Sequence, residues 1–579
     1  MRHTAAPIPE KSAAKAWLRA LEMTAKIDAA PERIFPDVVT ELGARFGEAP
    51  ALLGAGENLS HAGLSARVQR YARWALSQDI AKGETVCLLM PNRPEYLAIW
   101  LGLSRMGAVV ALLNTNLRDA ALAHAIKAAD PKHIIVDSRL FSALEGIGTD
   151  AKIWRHDESF AAMIAAMPDG PLAVHEKRPV TLHDPALLIY TSGTTGLSKA
   201  AFVSHHRVMM WTHWFAGMMD VSAQDRLYNC LPMYHSVGGV VASCAALLKG
   251  GSVAIREKFS ASHFWDDVAD SGATIFQYIG ELCRYLLPST KPPPPNRLRL
   301  ACGNGLSAEI WEAFQSRFHI PQILEFYAAT EGNFSLFNAE GKPGAIGRVP
   351  GFLRHRFGIA LVEISPDGQV QRGPDGFCRR AATGEAGEAI GRIAEGAARF
   401  EGYTDRDASD RKILRHVFEK DDAWVRTGDL MRQDAQGFYY FVDRLGDTFR
   451  WKGENVATGE VAASLMSYPN ILAACVYGVA VPGADGKAGM AALETAPGFD
   501  LSGLAGHLAG LPSYARPLFL RLVPSLVATE TFKPKKAQLA AEGFDPSRIP
   551  DPVYVRTADG YDRLDASLYA QIREGRMRF

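Results

Sequence analysis

Between residues 80 and 140, short apolar runs alternate with segments whose apolar positions recur at helical spacing. Residues 86–90, 108–113 and 133–137 predict buried strands, while 94–106 and 118–129 predict helices, the first with Pro94 near its first turn. Strands alternating with helices imply a parallel sheet covered on its faces. A further apolar run, Leu187-Leu-Ile-Tyr190, leads into Thr191-Ser-Gly-Thr-Thr-Gly-Leu-Ser-Lys199. The alternation resumes with predicted strands at 227–231, 252–255, 273–278 and 298–302, and with a Gly238-Gly239 turn into an apolar helix.

Residues 340–445 are richer in glycine and in short alternating runs, the pattern of a small β-rich subdomain. Beyond them, strands are expected at 471–481, 490–493 and 518–523, with a helix at 501–511. The expected fold is therefore α/β: a large N-terminal domain of α/β sheet subdomains plus a small β-rich subdomain, then a small α+β C-terminal domain.

Length and composition narrow the class. A chain of 579 residues exceeds a single core. Hydrophobic residues make up 47% and charged residues 22%, a globular balance. Acids and bases number 63 each, so the net charge does not point to nucleic acid or to an anionic membrane as partner. Seven scattered cysteines without a CxxC pair read as reduced core thiols in a cytoplasmic protein. The start lacks an uninterrupted apolar run, so no secretory leader is expected, and no run of ~20 apolar residues predicts a spanning helix. Residues 11–27 form a basic amphipathic segment around Trp17, Leu18 and Leu21; it either docks on its own domain or makes peripheral contact with the inner face of a membrane.

Five segments carry candidate chemistry. In Tyr190, Thr191, Ser192, Gly193, Thr194, Thr195, Gly196 and Lys199, glycines turn backbone N–H groups towards a ligand while hydroxyls and a lysine add donors. That suits a polyphosphate, although the spacing is not that of a Walker A loop and a plain surface loop has a similar composition. In the second, 325–332, Tyr327 could stack on a base, Thr330 donate to a phosphate oxygen and Glu331 hold magnesium; an ordinary strand end reads the same. The third, Trp424-Val-Arg-Thr-Gly-Asp429, ends in a carboxylate that could accept ribose hydroxyls or simply close a turn. The fourth, 443–455, is crowded with charge and glycine, as a solvated linker would be. The fifth, 529–539, is a basic loop around Lys533.

In order and spacing, across roughly residues 40–545, these segments resemble the adenylate-forming superfamily of acyl-CoA synthetases, adenylation domains and luciferases. The chain is most similar to its fatty acid transport protein and very-long-chain acyl-CoA synthetase branch. The runs that carry this are Lys258-Phe-Ser-Ala-Ser-His-Phe-Trp-Asp-Asp267, Gln277-Tyr-Ile-Gly-Glu-Leu-Cys-Arg-Tyr-Leu286, Ser316-Arg-Phe-His-Ile-Pro321 and Gly446-Asp-Thr-Phe-Arg-Trp-Lys-Gly-Glu-Asn-Val456.

The resemblance implies an N-terminal domain of residues 1–445 that binds AMP and the acyl group, and a mobile C-terminal domain of 446–579, with ATP, Mg2+, coenzyme A and a fatty acid as ligands. It implies that the 190–199 loop wraps the β- and γ-phosphates. Gly303, Asn304, Gly305 and Tyr327 would border the adenine, Thr330 would face the α-phosphate and Glu331 the magnesium. Asp429 and Arg444 would hold the ribose. Lys533 would bridge the substrate carboxylate and the α-phosphate, His235 would line the acyl entrance, and Gly453, Glu454 and Asn455 would approach the CoA channel. The sequence departs from the superfamily pattern at Phe532, where glycine usually precedes the catalytic lysine. It departs again at the hinge, where Gly446 and Asp447 stand in place of the usual single Asp or Lys. A ligase that loads a carrier protein and a membrane-associated uptake factor coupled to ligation are the alternative functions. Acyl chain length and oligomeric state have no local signature.

Overall fold

Two mainly parallel sheets realise the strand–helix rhythm of the first half of the chain. A computed structural model describes residues 13–192, 198–288, 292–365, 368–394, 398–445, 447, 449–451, 454–482, 484, 486–526, 536–557 and 560–577. It resolves into two compact units, one of residues 1–358 and 391–414, the other of 359–390 and 415–579.

In the first unit, a six-stranded sheet runs in the order Lys152–His156, His133–Asp137, Thr85–Leu89, Val109–Leu112, Pro185–Ser192 and Ser198–Ser204. All neighbours are parallel except the last pair, an antiparallel hairpin. The central strands have nearly every residue buried, as a sheet covered on both faces requires. A second, eight-stranded sheet contains Ser335–Asn338, Ile323–Ala328, Leu300–Asn304, Ile275–Ile279, Arg226–Asn229 and Ser252–Ile255, and ends in Pro50–Leu53 and Asn58–Ser60.

Several expected elements shift by a residue or two, and two change character. The Gly238-Gly239 turn lies inside a π-helical turn, Val237–Val241, followed by short α and 3-10 segments. A Cβ on Gly239 would lie 1.9 Å from the Met233 carbonyl oxygen, so glycine permits a backbone approach that a regular helix would not make. The expected helix at 501–511 is reduced to Leu504–His507 and a 3-10 turn. Two glycines, Gly506 and Gly510, and a following Pro512 explain the weak winding.

Helix Ala13–Thr24 packs on its own unit. Trp17 is fully buried and meets Trp214, Phe337 and Phe357 edge-on at 5.7, 5.9 and 5.5 Å. Arg19 Nε donates to the Gly217 carbonyl at 3.1 Å, and a Cβ on Gly217 would stand 2.5 Å from Ala20 Cα. The face that would have to enter a bilayer is thus the one turned inward; Leu18 alone among its large apolar residues is well exposed. Among the described residues, no helix is long and apolar enough to cross a membrane.

The second unit holds a sheet ordered Ile359–Val362, Ala386–Arg392 and Ala423–Gln433, with Tyr439–Arg444 paired to the last of these. It also holds a five-stranded sheet of Ile471–Ala480, Lys487–Thr495, Phe519–Val523, Val553–Arg556 and Tyr561–Arg563. Helix Thr458–Met466 covers the latter, with Val461 and Leu465 buried in its core. All seven cysteines are buried and none is in a disulfide.

Candidate functional site

The glycine-rich segment is bounded on each side by an arm of the antiparallel hairpin, Pro185–Ser192 and Ser198–Ser204. Thr191 stands opposite Lys199 and Ser192 opposite Ser198, so the two arms deliver both ends of the loop to one place. Gly193, Thr194, Thr195 and Gly196 lie outside the described residues. Tyr190 points into the core: its hydroxyl donates to the Ala125 carbonyl at 2.7 Å, and burial holds the phenol well above its usual range. Its contribution is to anchor the hairpin. The segment 402–404 runs beside the second arm, with Phe202 N–H donating to Gly402 O at 3.0 Å and Thr404 N–H to Ala200 O at 2.9 Å. Lys199 Nζ consequently lies 5.8 Å from the centre of the Tyr403 ring.

Tyr403 ties this hairpin to the second motif. Its hydroxyl donates to Glu331 Oε1 at 2.9 Å, and Lys412 Nζ stands 3.6 Å from the same oxygen. One residue earlier, Thr330 Oγ1 is 3.1 Å from Ser236 Oγ, and the Thr330 carbonyl accepts from Arg207 Nη1 at 2.7 Å. Arg207 also donates to the Arg399 carbonyl at 3.1 Å and lies 3.7 Å from Glu401, whose carboxylate accepts the Ser204 N–H at 2.8 Å. The turn bearing Thr330 and Glu331 is therefore clamped from Arg207 in the helix that follows the hairpin, from the 399–412 segment and from the Ser236 turn. His235 is half-buried in that last turn, its ring 4.6 Å from Tyr234.

Tyr327 sits at the end of strand Ile323–Ala328, half-buried, with Phe334 5.7 Å away. Gly303 and Asn304 end the neighbouring strand and Gly305 follows it at φ +82°. Asn304 Oδ1 is buried and accepts no hydrogen bond among the described residues, which suits an amine arriving with a ligand. Beneath this turn, Glu325 is fully buried, and desolvation pushes its carboxyl from 4.5 up to about 8 despite hydrogen bonds from Tyr278, Gly305 and Leu306. The native protein therefore holds this proton where the unfolded chain has released it. That contribution to stability is complete below 4.5 and is lost as pH rises through about 8. Thermal unfolding from pH 5 to 9 should show the wild type losing stability relative to E325Q; parallel profiles would contradict it.

In the second unit, Asp429 and Arg444 are directly paired across two strands, Arg444 Nε donating to Asp429 Oδ1 at 3.1 Å. The turn before Asp429 depends on buried Glu388, which takes Arg426 at 2.9 and 2.6 Å and the Gly428 N–H at 3.1 Å. Gly446, Gly453 and Lys533 lie outside the described residues; Glu454 and Asn455 are in strand Glu454–Val456, paired with Phe449–Trp451. Asp447 meets Lys536 Nζ at 3.2 Å, and Lys536 also donates to Thr458 Oγ1 at 2.7 Å. Thr458 is held in turn by Asp443, whose carboxylate takes the Thr458 N–H at 2.6 Å.

Among the described residues there is no group of three His, Cys, Asp or Glu able to hold a metal ion. Glu331 is instead a carboxylate that fits a magnesium ion arriving with the oxygens of a triphosphate, since that ion keeps water and phosphate ligands. Arg207, Ser236, Tyr403, Lys412, Glu325 and Tyr278 were not singled out from the sequence. Only Tyr403, in the turn Glu401-Gly-Tyr403, has a local signal there.

A hydroxyl- and lysine-bearing hairpin and a carboxylate stand at the carboxyl ends of parallel strands, where open α/β sheets place their ligand sites. Comparison with known proteins gives the family. The family described as AMP-binding enzyme matches residues 39–370, and the chain belongs to it. Within it the chain falls in the branch of the fatty acid transport proteins and fatty acyl-CoA ligases. Long-chain fatty acid transport protein 1 of Mus musculus is 40% identical over 519 residues, 86% of this chain and 80% of that protein. A medium/long-chain-fatty-acid–CoA ligase of Mycobacterium tuberculosis is 38% identical over 559 residues, 93% of this chain and 91% of that one. ATP-bound MatB from Rhodopseudomonas palustris shares the fold at a TM-score of 0.75 and 22% identity, covering 87% of this chain and 98% of that chain.

Proposed function

We propose that the protein joins long- or very-long-chain fatty acids to coenzyme A in an ATP-dependent reaction, through an acyl-adenylate, with release of AMP and pyrophosphate. The observation that carries this reading is the 38% identity to a fatty-acid–CoA ligase along 93% of this chain. The clamped Thr330–Glu331 turn beside the hairpin supports it physically.

A carboxylate is a poor acyl donor because its leaving group would be oxide. Attack on the α-phosphorus of ATP makes a mixed anhydride, from which AMP leaves readily when the CoA thiol attacks. Neither half-reaction needs an enzyme nucleophile, so the protein's work is positioning and charge neutralisation. In this assignment Thr191, Ser192, Lys199 and the 193–196 loop hold the β- and γ-phosphates. Gly303, Asn304, Gly305 and Tyr327 border the adenine, and Asp429 and Arg444 take the ribose hydroxyls. Thr330 faces the α-phosphate, with Ser236 orienting its hydroxyl. Magnesium supplies charge neutralisation at the phosphates, and Glu331 is the side chain that would hold it. Lys533 bridges the attacking carboxylate and the α-phosphate. His235 lines the acyl entrance, while Gly453, Glu454 and Asn455 serve the thiol half-reaction. We place the functional boundary at 445/446, with Gly446 and Asp447 as the hinge.

Pyrophosphate release measured across fatty acids from short to very long, with and without CoA, tests the reading. Release that depends on long acyl chains, with acyl-CoA as product, is expected. Acyl transfer to a carrier protein but not to CoA would overturn the choice of acceptor.

The name of the mouse relative favours a second role, uptake of fatty acid coupled to its ligation. In that role the protein would touch the inner face of a membrane peripherally. Fractionation after deletion of residues 1–30 examines it, and an unchanged soluble distribution would remove the N-terminal segment as the anchor.

A further inference from the structure

Tyr278, Gly303 and Glu325 stand in one row across three parallel strands, Tyr278 opposite Gly303 and Gly303 opposite Glu325. The middle position has no side chain, and a Cβ there would lie 2.5 Å from the Tyr278 ring and 2.3 Å from its carbonyl oxygen. The ring therefore crosses above the glycine, and its hydroxyl donates to Glu325 Oε2. The other oxygen, Oε1, accepts the backbone N–H of Gly305 and, at 3.2 Å, that of Leu306. On its far side the turn presses on Gly280, where a Cβ would stand 1.8 Å from the Gly305 carbonyl oxygen. Residues 303–306 are thus fixed by one carboxyl group, one phenol and one glycine contact.

Burying this carboxyl is costly, as its shift to about 8 records, and an apolar pair across the same row would avoid that cost. What an apolar pair could not do is receive two successive backbone N–H groups while the chain turns through φ +82° at Gly305. Tyr327, two residues after Glu325, lies on the same face of the strand. Glu325 is only 1% exposed, so it underlies the turn without reaching a ligand that lies on it.

We infer that Glu325, linked to Tyr278, is a positioning residue that sets the shape of the 303–306 turn and through it both ATP affinity and the preference for adenine over other bases. The inference rests on the proposed reading of that turn as the base site.

The test uses the full chain and four proteins: wild type, E325A, E325Q and Y278F. E325A should raise the KM for ATP at least tenfold and lower the ATP-over-GTP ratio of kcat/KM at least tenfold, while the KM for fatty acid moves less than twofold. E325Q keeps a carbonyl oxygen for both N–H groups and an amide towards Tyr278, so it should recover most of the loss. Y278F should raise the ATP KM about threefold, and it decides the matter alone if E325A does not fold. Equal ATP KM in Y278F and wild type, or an ATP KM in E325A that rises only in step with that for fatty acid, would overturn the role of Glu325. Photolabelling of the wild type with 8-azido-ATP separates this from the underlying assignment. Labels on peptides holding residues 300–306 or 323–330 support the base site, whereas labelling only elsewhere removes the assignment and the inference with it.

Discussion

Lys533→Ala is expected to lower pyrophosphate release from ATP and fatty acid by about a hundred- to a thousand-fold, the range seen when one preorganised donor is removed from a developing charge. The same variant, given synthetic acyl-AMP and CoA, should form thioester at close to the wild-type rate. The asymmetry follows from the chemistry. In the first half-reaction two anions, the carboxylate and the α-phosphate, must approach each other, and a cation between them removes much of the barrier. In the second, AMP leaves from an anhydride already formed, and no such approach occurs. Equal loss in both steps would show that Lys533 supports the fold or the CoA site instead. Phe532 makes the variant more informative, because the usual glycine before this lysine is absent.

Glu331→Gln should raise the magnesium concentration for half-maximal adenylation at least tenfold and lower kcat by about two orders of magnitude. Glutamine can still accept the Tyr403 hydroxyl, so the turn keeps that hydrogen bond while losing its charge. The ion pair with Lys412 at 3.6 Å is lost at the same time. Because both partners are partly exposed, loss of that pair alone costs little stability. Melting temperatures near wild type, with magnesium dependence shifted, are therefore expected. An unchanged magnesium curve would take Glu331 out of the metal site.

The hairpin illustrates how much of this site was legible beforehand. Its glycines, hydroxyls and lysine are the basis of the phosphate assignment proposed above, and its first strand was visible as an apolar run. The second strand, Ser198–Ser204, was not, because its apolar residues continue from the loop without a turn signal of their own. Tyr190 looked like the start of the loop. It is instead a core anchor, since strand alternation carries its hydroxyl down to Ala125.

Thr330 and Glu331 were likewise legible as residue types, as were Asp429 and Arg444, which pair across neighbouring strands only 15 residues apart. Their supports were not. Arg207 reaches the Thr330 carbonyl across 123 residues of chain, Ser236 its hydroxyl across 94, and Tyr403 reaches Glu331 across 72. Apart from Tyr403 after its Glu-Gly pair, none of these partners sits in a local pattern that distinguishes it from an ordinary surface or core residue.

By itself, the sequence determined the α/β class, the order of the motifs and the chemistry each could perform, because periodicity and residue type are local properties. Tertiary structure decided which groups act together. The hairpin is joined to Glu331 through Tyr403, and a buried carboxyl holds the 303–306 turn. Hydrogen bonds and close packing are short-range in space and indifferent to distance along the chain.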